Sequence, residues 1–284
     1  MNERVRNVCI WALVGVFALF SALKPILADS GLAALIPAIS ILTPVGVVVL
    51  HGSRQLGWAR LAYFFAIASL VSWSYESLSI ATGFPFGHYH YTDEMGPKLG
   101  TVPVLIMPAY YAVCYVAWHL AKLLIDRRDA QADRVQTFTV PLLAAFVMVM
   151  WDMGMDPSRA TVRQAWIWHE GGSYFGVPFE NFLGWLLCVW TIFQIYALVQ
   201  RVDASPVGVT GTPADRPVHW QQIVALHAAL ALEFLAFAVW PPQGEVVDAS
   251  GAVWSLTALY ETLGLVTLFS MVPISLLGFV KARG

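Results

Sequence analysis

The sequence predicts an all-α protein, a polytopic membrane bundle of about eight transmembrane helices with two aromatic- and glycine-rich outer loops. Three observations predict it. Hydrophobic residues make up 58% of the chain and charged residues only 12%. Several apolar runs reach the roughly 20 residues that a bilayer crossing needs. Lys and Arg are distributed unequally between alternate ends of those runs.

The spans follow in order. The first, Val8–Ala28, holds Trp11, Phe17 and Phe20 in its apolar stretch and has no small-x-small cleavage site, so it is not a signal peptide. The second, Leu32–Leu50, starts across the short turn Asp29-Ser30-Gly31. The third is Trp58–Ile80. The fourth, Val102–Ile125, begins with Pro103, and the fifth, Phe138–Met155, is stopped by Asp156-Pro157. The sixth, Phe179–Val199, starts after Pro178. Pro206–Pro217, with the run GVTGTPADRP, reads as a flexible linker to the seventh span, Trp220–Trp240. Trp254–Val280 is the eighth. No soluble second domain fits, so residues 1–284 form one membrane-embedded domain.

Lys98, Arg159 and Arg163 fall on one side and Lys24 within the first span, which leaves 12 of the 16 Lys and Arg residues on the other side. The positive-inside rule then puts both termini in the cytoplasm, as a multi-pass protein of the inner membrane. Net charge of −2 gives no basis for a nucleic-acid partner. Cys9, Cys114 and Cys188 lie in three different spans without a CxxC pair, and read as small apolar residues.

The acids are unevenly placed. Glu76, Asp152, Asp156, Glu180, Glu233 and Glu261 all lie near the outer ends of spans. A charged side chain in the bilayer costs about 2.5 kcal/mol or more. Six acids at similar depth, with only Lys24 as a buried cation, predict a shared polar cavity in the outer half. Asp152 and Asp156 stand at i and i+4, on one helical face. Pro157 also makes Asp156 a candidate helix cap.

Two outer loops hold the densest chemistry. One contains TGFPFGHYHYTDEMGPK, with Phe84, Phe86, Tyr89, Tyr91 and Asp93; the other contains WIWHEGG and YFGVPFENFLGW, with Trp166, Trp168, Tyr174, Phe175, Asn181 and Trp185. An interfacial aromatic belt explains some of these rings. Their interleaving with Gly83, Gly87, Gly171, Gly172 and Gly176 fits loops folded over a cavity. Ring faces there suit an apolar elongated ligand or a developing carbocation. The loops are also weakly alike: 27 residues separate Glu76 from Pro103, and 26 separate Asp152 from Pro178. A duplicated two-helix unit would pair Glu76 with Asp152.

Several chemistries lack their motifs. There is no HxxxH or HxxHH set for a di-iron oxygenase, and no GxGxxG or Walker loop. A zinc site from His88, His90 and His169 has little support. Asp152-x-x-x-Asp156 matches half of the magnesium-binding acids of membrane prenyltransferases, but the Asn-Asp-rich second cluster is absent.

The segments Thr82–Pro103, Trp151–Pro157 (WDMGMDP) and Trp166–Trp185 resemble the integral-membrane carotenoid 1′,2′-hydratase family, described more broadly as carotenoid biosynthesis proteins. With the intervening spans the resemblance covers about Tyr75–Leu198. It implies water addition to a terminal C1′–C2′ double bond of a linear or monocyclic carotene, a hydro-lyase reaction without cofactor or metal. The implied partners are the carotene, the lipid bilayer and other enzymes of the pathway. Such chemistry needs two acids of unlike character in an apolar pocket. Glu76 and Asp152 are the first choices, followed by Asp156 and Asp93. Phe84, Phe86, Tyr89, Tyr91, Trp151, Trp166, Trp168, Tyr174 and Trp185 are expected around the substrate, with Asn181 orienting the water. A non-catalytic polyene or lipid carrier is the alternative, and a polyene cyclase or isomerase begins with the same alkene protonation.

Overall fold

A computed structural model describes residues 1–27, 30–31, 35–125, 134–202 and 217–283. The linker expected at Pro206–Pro217 lies outside these except for Pro217. Helices dominate: α1 (Glu3–Leu27), α2 (Ile36–Gln55), α3 (Gly57–Thr82), α4 (Ile106–Ile125), α5 (Arg134–Pro157), α6 (Phe179–Val202), α7 (Pro217–Val239), α8 (Leu256–Phe269) and α9 (Met271–Lys281). Six described segments are long and apolar enough to cross a membrane, the last being Leu256–Lys281 as a whole. The remaining two, α2 and α4, are 20 residues each. The eight expected spans therefore each have a helical counterpart.

The physics of α4 differs from that of its neighbours. It carries five buried rings that bear a polar atom, Tyr110, Tyr111, Tyr115, Trp118 and His119. It tolerates them because it is the central helix, buried nearly all round by α2, α3, α5 and α7. The outer helices carry the opposite signature, with Leu19, Leu70, Phe146 and Leu183 exposed on their outward faces.

Three boundaries depart from the sequence reading. Pro103 does not open a helix: strands β2 (Lys98–Leu99) and β3 (Val102–Pro103) form a tight antiparallel hairpin, and α4 starts after it. Pro157 does not end the fifth span either. The helix continues as a π turn, Ser158–Val162, closed by the Arg163 N–H donating to Ser158 O at 3.3 Å. The last span is broken at Ser270, where Pro273 lacks the N–H that would reach Phe269 O.

The two aromatic loops meet. Strand β1 (Tyr89–Tyr91) pairs antiparallel with β4 (Trp166–Trp168), in the register Tyr89↔Trp168, His90↔Ile167, Tyr91↔Trp166. Alternation puts the Tyr and Trp rings on the buried face and His90 on the exposed one. This ribbon joins the unit α3–loop–α4 to the unit α5–loop–α6 across the end of the bundle where α3 and α5 finish. A second hairpin, β5 (Glu245–Val247) with β6 (Val253–Ser255), stands beside it. Asp248 ties that turn, accepting from Ser250 N at 2.9 Å, Ala252 N at 3.1 Å and Trp254 Nε1 at 2.8 Å.

Candidate active site

Beneath the ribbon lies a mostly apolar cavity of about 180 Å³, walled by α1 to α7 and the loops. Glu76 enters it from the last turns of α3. Its carboxylate accepts three phenolic hydrogen bonds: Tyr89 Oη and Tyr91 Oη (2.9 Å) donate to Oε2, and Tyr110 Oη donates to Oε1 at 2.9 Å. Two of the donors come from the ribbon and one from α4, so the loop conformation and the acid fix each other. Burial, reinforced by the Glu76 charge, pushes the Tyr89 and Tyr91 phenols well above the ordinary tyrosine range. Both therefore remain protonated donors at neutral pH.

Asp156 faces the same cavity from the end of α5. Trp166 Nε1 donates to its Oδ1 at 3.0 Å, and Asn181 Nδ2 at the start of α6 donates to Oδ2. It is thus held by side chains from two neighbouring elements and does not cap its own helix. Asn181 lines the cavity while oriented by Asp156.

Asp152 sits one turn back, fully buried and behind the cavity wall. It interacts electrostatically with Asp156 and Glu76. Neither of its carboxyl oxygens has a hydrogen-bond partner among the described residues. A buried polar group left this way costs about 1–3 kcal/mol, so its retention calls for an explanation.

Aromatic rings complete the chamber. Tyr110 and Trp185 stack at 4.6 Å with planes only 3° apart. Tyr89 packs on Trp168 at 4.6 Å, and Tyr91 meets Trp166 edge-on at 5.9 Å. Phe86 and Trp151 also line the space. Trp168 Nε1 is a buried donor without a partner among the described residues.

Most of the expected site residues converge here: Glu76, Asp156, Phe86, Tyr89, Tyr91, Trp151, Trp166, Trp168, Asn181 and Trp185. Four do not line it: Asp152, which lies behind the wall, and three that point elsewhere. Asp93 is fully exposed and pairs with Lys98 at 3.5 Å, because it opens a short 3-10 turn on the outside of the loop. Phe84 is 58% exposed. Tyr174 turns away, donating to Met153 O at 3.1 Å and packing on Phe182. The single cavity of six acids is also corrected. Glu180 and Glu261 are exposed. Glu233 reaches the cavity wall ion-paired to Lys24 and to Arg159, the latter at 2.7 Å. Lys24 is therefore not the only cation at that depth, since the π turn brings Arg159 inward.

The sequence reading missed Tyr110, a phenol near the start of α4 that nothing local distinguishes from Tyr111 and Tyr115 in the same span. It also gave Arg159 and Arg163 a topological meaning only, yet both line the cavity. His90 Nδ1 and His169 Nε2 approach to 2.9 Å on the outer face of the ribbon, whereas His88 is turned against Gly83. Among the described residues no cluster of three or more His, Cys, Asp or Glu is arranged to hold a metal ion.

Comparison with known proteins bears on this chamber directly. Over 136 residues the chain is 33% identical to a bisanhydrobacterioruberin hydratase of Haloarcula japonica. The match covers 47% of this chain and 42% of that protein, so the chain spans less than half the length of this relative. No solved structure matches. The family model for carotenoid biosynthesis proteins matches residues 36–242, which takes in α2 to α7 and therefore both loops, the ribbon, Glu76, Asp152 and Asp156. With the three acids, the ribbon and all of the chamber wall except its α1 face inside that match, this chain belongs to the carotenoid biosynthesis protein family.

Proposed function

We propose that this protein adds water across the terminal C1′–C2′ double bond of a linear or monocyclic carotene. One observation carries the reading. Glu76 and Asp156, each oriented by dedicated donors, face one apolar cavity walled by ring faces. A carrier needs the apolar cavity but has no use for three buried carboxyl groups. The Haloarcula japonica relative, whose name states hydration, supports the same choice.

The chemistry then divides between the two sides of the cavity. The aspartate pair supplies the proton: one proton shared by neighbouring carboxyls avoids juxtaposed like charges. It is delivered through Asp156 to the less substituted alkene carbon, C2′, and leaves a tertiary cation at C1′. The stacked Tyr110–Trp185 pair and the Trp166 face stabilise that cation. Glu76, accepting three phenolic hydrogen bonds, is the carboxylate that takes a proton from the attacking water. The Trp168 indole N–H is the donor available to the new hydroxyl. The proton on Glu76 returns to the aspartates before the next turnover, so alkene and water give the tertiary alcohol with no net change in the protein.

Pigment analysis tests this in a lycopene- or γ-carotene-producing host. Expression is expected to yield a 1′-hydroxy product. In vitro, under anaerobic conditions with chelator and ¹⁸O-labelled water, the product is expected to carry solvent oxygen. Oxygen drawn from O₂, or a cyclised or isomerised product lacking new oxygen, overturns the hydratase reading.

The proposal includes orientation: termini in the cytoplasm and the ribbon on the opposite face of the inner membrane. Single cysteines at Lys98 and Arg163 are expected to react with an impermeant thiol reagent only from the side opposite the termini. Reaction solely from the terminal side reverses the topology.

A further inference from the structure

Hydration requires one water per turnover to reach a cation inside an aromatic, mostly apolar chamber. The Tyr–Trp ribbon covers the chamber from outside, and its buried face offers rings. One wall has a different chemistry. Glu94, Arg163, Arg159, Glu233 and Lys24 all line the same cavity as Glu76 and Asp156. They form two sets of ion pairs on one wall: Arg163 with Glu94, and Glu233 with both Arg159, at 2.7 Å, and Lys24.

The order of exposure along this wall is informative. Side-chain exposure runs from 38% at Glu94 and 32% at Arg163, through 20% at Arg159 and 10% at Glu233, to 2% at Lys24. Charged side chains are thus present along this wall at every level of exposure, from the part-exposed Glu94–Arg163 pair to the buried Lys24. Charged groups keep water near them far more readily than ring faces do. The outermost pair also joins the two loops, Glu94 from the 3-10 turn after β1 and Arg163 from the end of the π turn before β4. The π turn sets Arg159 into this wall, and such turns recur at functional sites.

We infer that the wall formed by Glu94, Arg163, Arg159, Glu233 and Lys24 is the route by which water enters the chamber, with the Glu94–Arg163 pair at its mouth. The inference rests on the hydratase reading. It assigns these residues neither proton transfer nor contact with the reacting carbons. Their role is to supply the nucleophile, and so to decide the fate of the cation. That cation has two exits. Water capture gives the alcohol. Loss of a proton returns an alkene, and in D₂O the returned alkene carries deuterium at C2′, because the proton delivered was a deuteron and the one lost was protium.

The test uses the full-length protein in liposomes loaded with lycopene, in D₂O, and measures deuterated alkene against deuterated alcohol. Arg159→Met removes the middle of the route while leaving Glu233 paired with Lys24. Glu94→Leu/Arg163→Leu replaces the mouth by apolar groups. Either change is expected to raise the alkene-to-alcohol ratio roughly tenfold, equivalent to about 1.4 kcal/mol between the two exits. The exchanged pair Glu94→Arg/Arg163→Glu is expected to restore the ratio, since polarity and the loop cross-link are both kept. A purely structural role lowers both exits together and leaves their ratio unchanged, which overturns the inference. A higher KM at unchanged ratio overturns it as well, because it assigns the wall to holding substrate. Arg163→Leu alone is read by the same criterion if neither variant folds. A wild-type protein that gives neither alcohol nor exchange defeats the hydratase reading itself, a result distinct from an unchanged ratio.

Discussion

Glu76→Gln is expected to lower kcat by about 10²-fold or more, the usual contribution of a positioned general acid or base. The substitution keeps the size and one acceptor oxygen but removes the charge. Tyr110 Oη keeps its partner if the amide oxygen faces α4, while Tyr89 and Tyr91 then meet an NH₂ group in place of Oε2. Both phenols can rotate to accept, so the chamber survives with weaker cohesion. A stability loss of about 1–3 kcal/mol is expected from the mismatch. The two effects separate by normalising product to folded protein. Tyr110→Phe offers the complementary control: it deletes one donor, leaves the carboxylate in place and is expected to cost about tenfold or less. Near wild-type turnover by folded Glu76→Gln removes Glu76 from the mechanism.

The helices were legible because bilayer thickness and backbone hydrogen bonding leave a membrane chain few options. Even α4, with its five polar-tipped rings, kept a recognisable length between Pro103 and Ile125. The loops were legible in composition but not in arrangement. Tyr89-His90-Tyr91 and Trp166-Ile167-Trp168 each show the period-two alternation of a strand with one buried face. Each is only three residues long, and the partner lies 77 positions away (90 to 167) across two helices, so nothing local announces the pairing. The same limit hid the Lys24–Glu233 ion pair, whose members are 209 residues apart. Helical spacing correctly put Asp152 and Asp156 on one face. It did not reveal which of them reaches the cavity, because that depends on where α6 and β4 place Asn181 and Trp166.

The chamber consequently revises the order of the acids. The sequence ranks Asp152 above Asp156 by depth in the span. Depth alone is a poor guide when the cavity lies toward the C-terminal end of α5. Asp156 lines the space and is gripped on both oxygens, whereas Asp152 is deeper and ungripped. An acid that must exchange its proton with a neighbour is better left without fixed donors. An acid that must hold an orientation against substrate needs them.

This contrast yields opposite signs for two variants that differ by one helical turn. Asp152→Asn is expected to reduce turnover about 10²-fold, since the amide cannot exchange a proton with Asp156. It removes no hydrogen bond present among the described residues, and it removes one member of a crowded acidic cluster. Thermal stability is therefore expected to stay level or rise, the trade-off seen where a strained group is kept for activity. Asp156→Asn behaves differently. Trp166 Nε1 retains an acceptor, but Asn181 Nδ2 then faces another NH₂, and one buried donor is left unpaired. That costs about 1–3 kcal/mol, so activity and melting temperature are both expected to fall. Asn181→Asp in the Asp156→Asn background reverses the polarity of the pair, and is expected to recover stability without recovering rate. The measurement is paired: initial rate per folded protein and the thermal midpoint for each variant. A stability loss at Asp152→Asn with normal specific activity would make Asp152 a structural residue and leave Glu76 and Asp156 as the whole of the acid–base machinery.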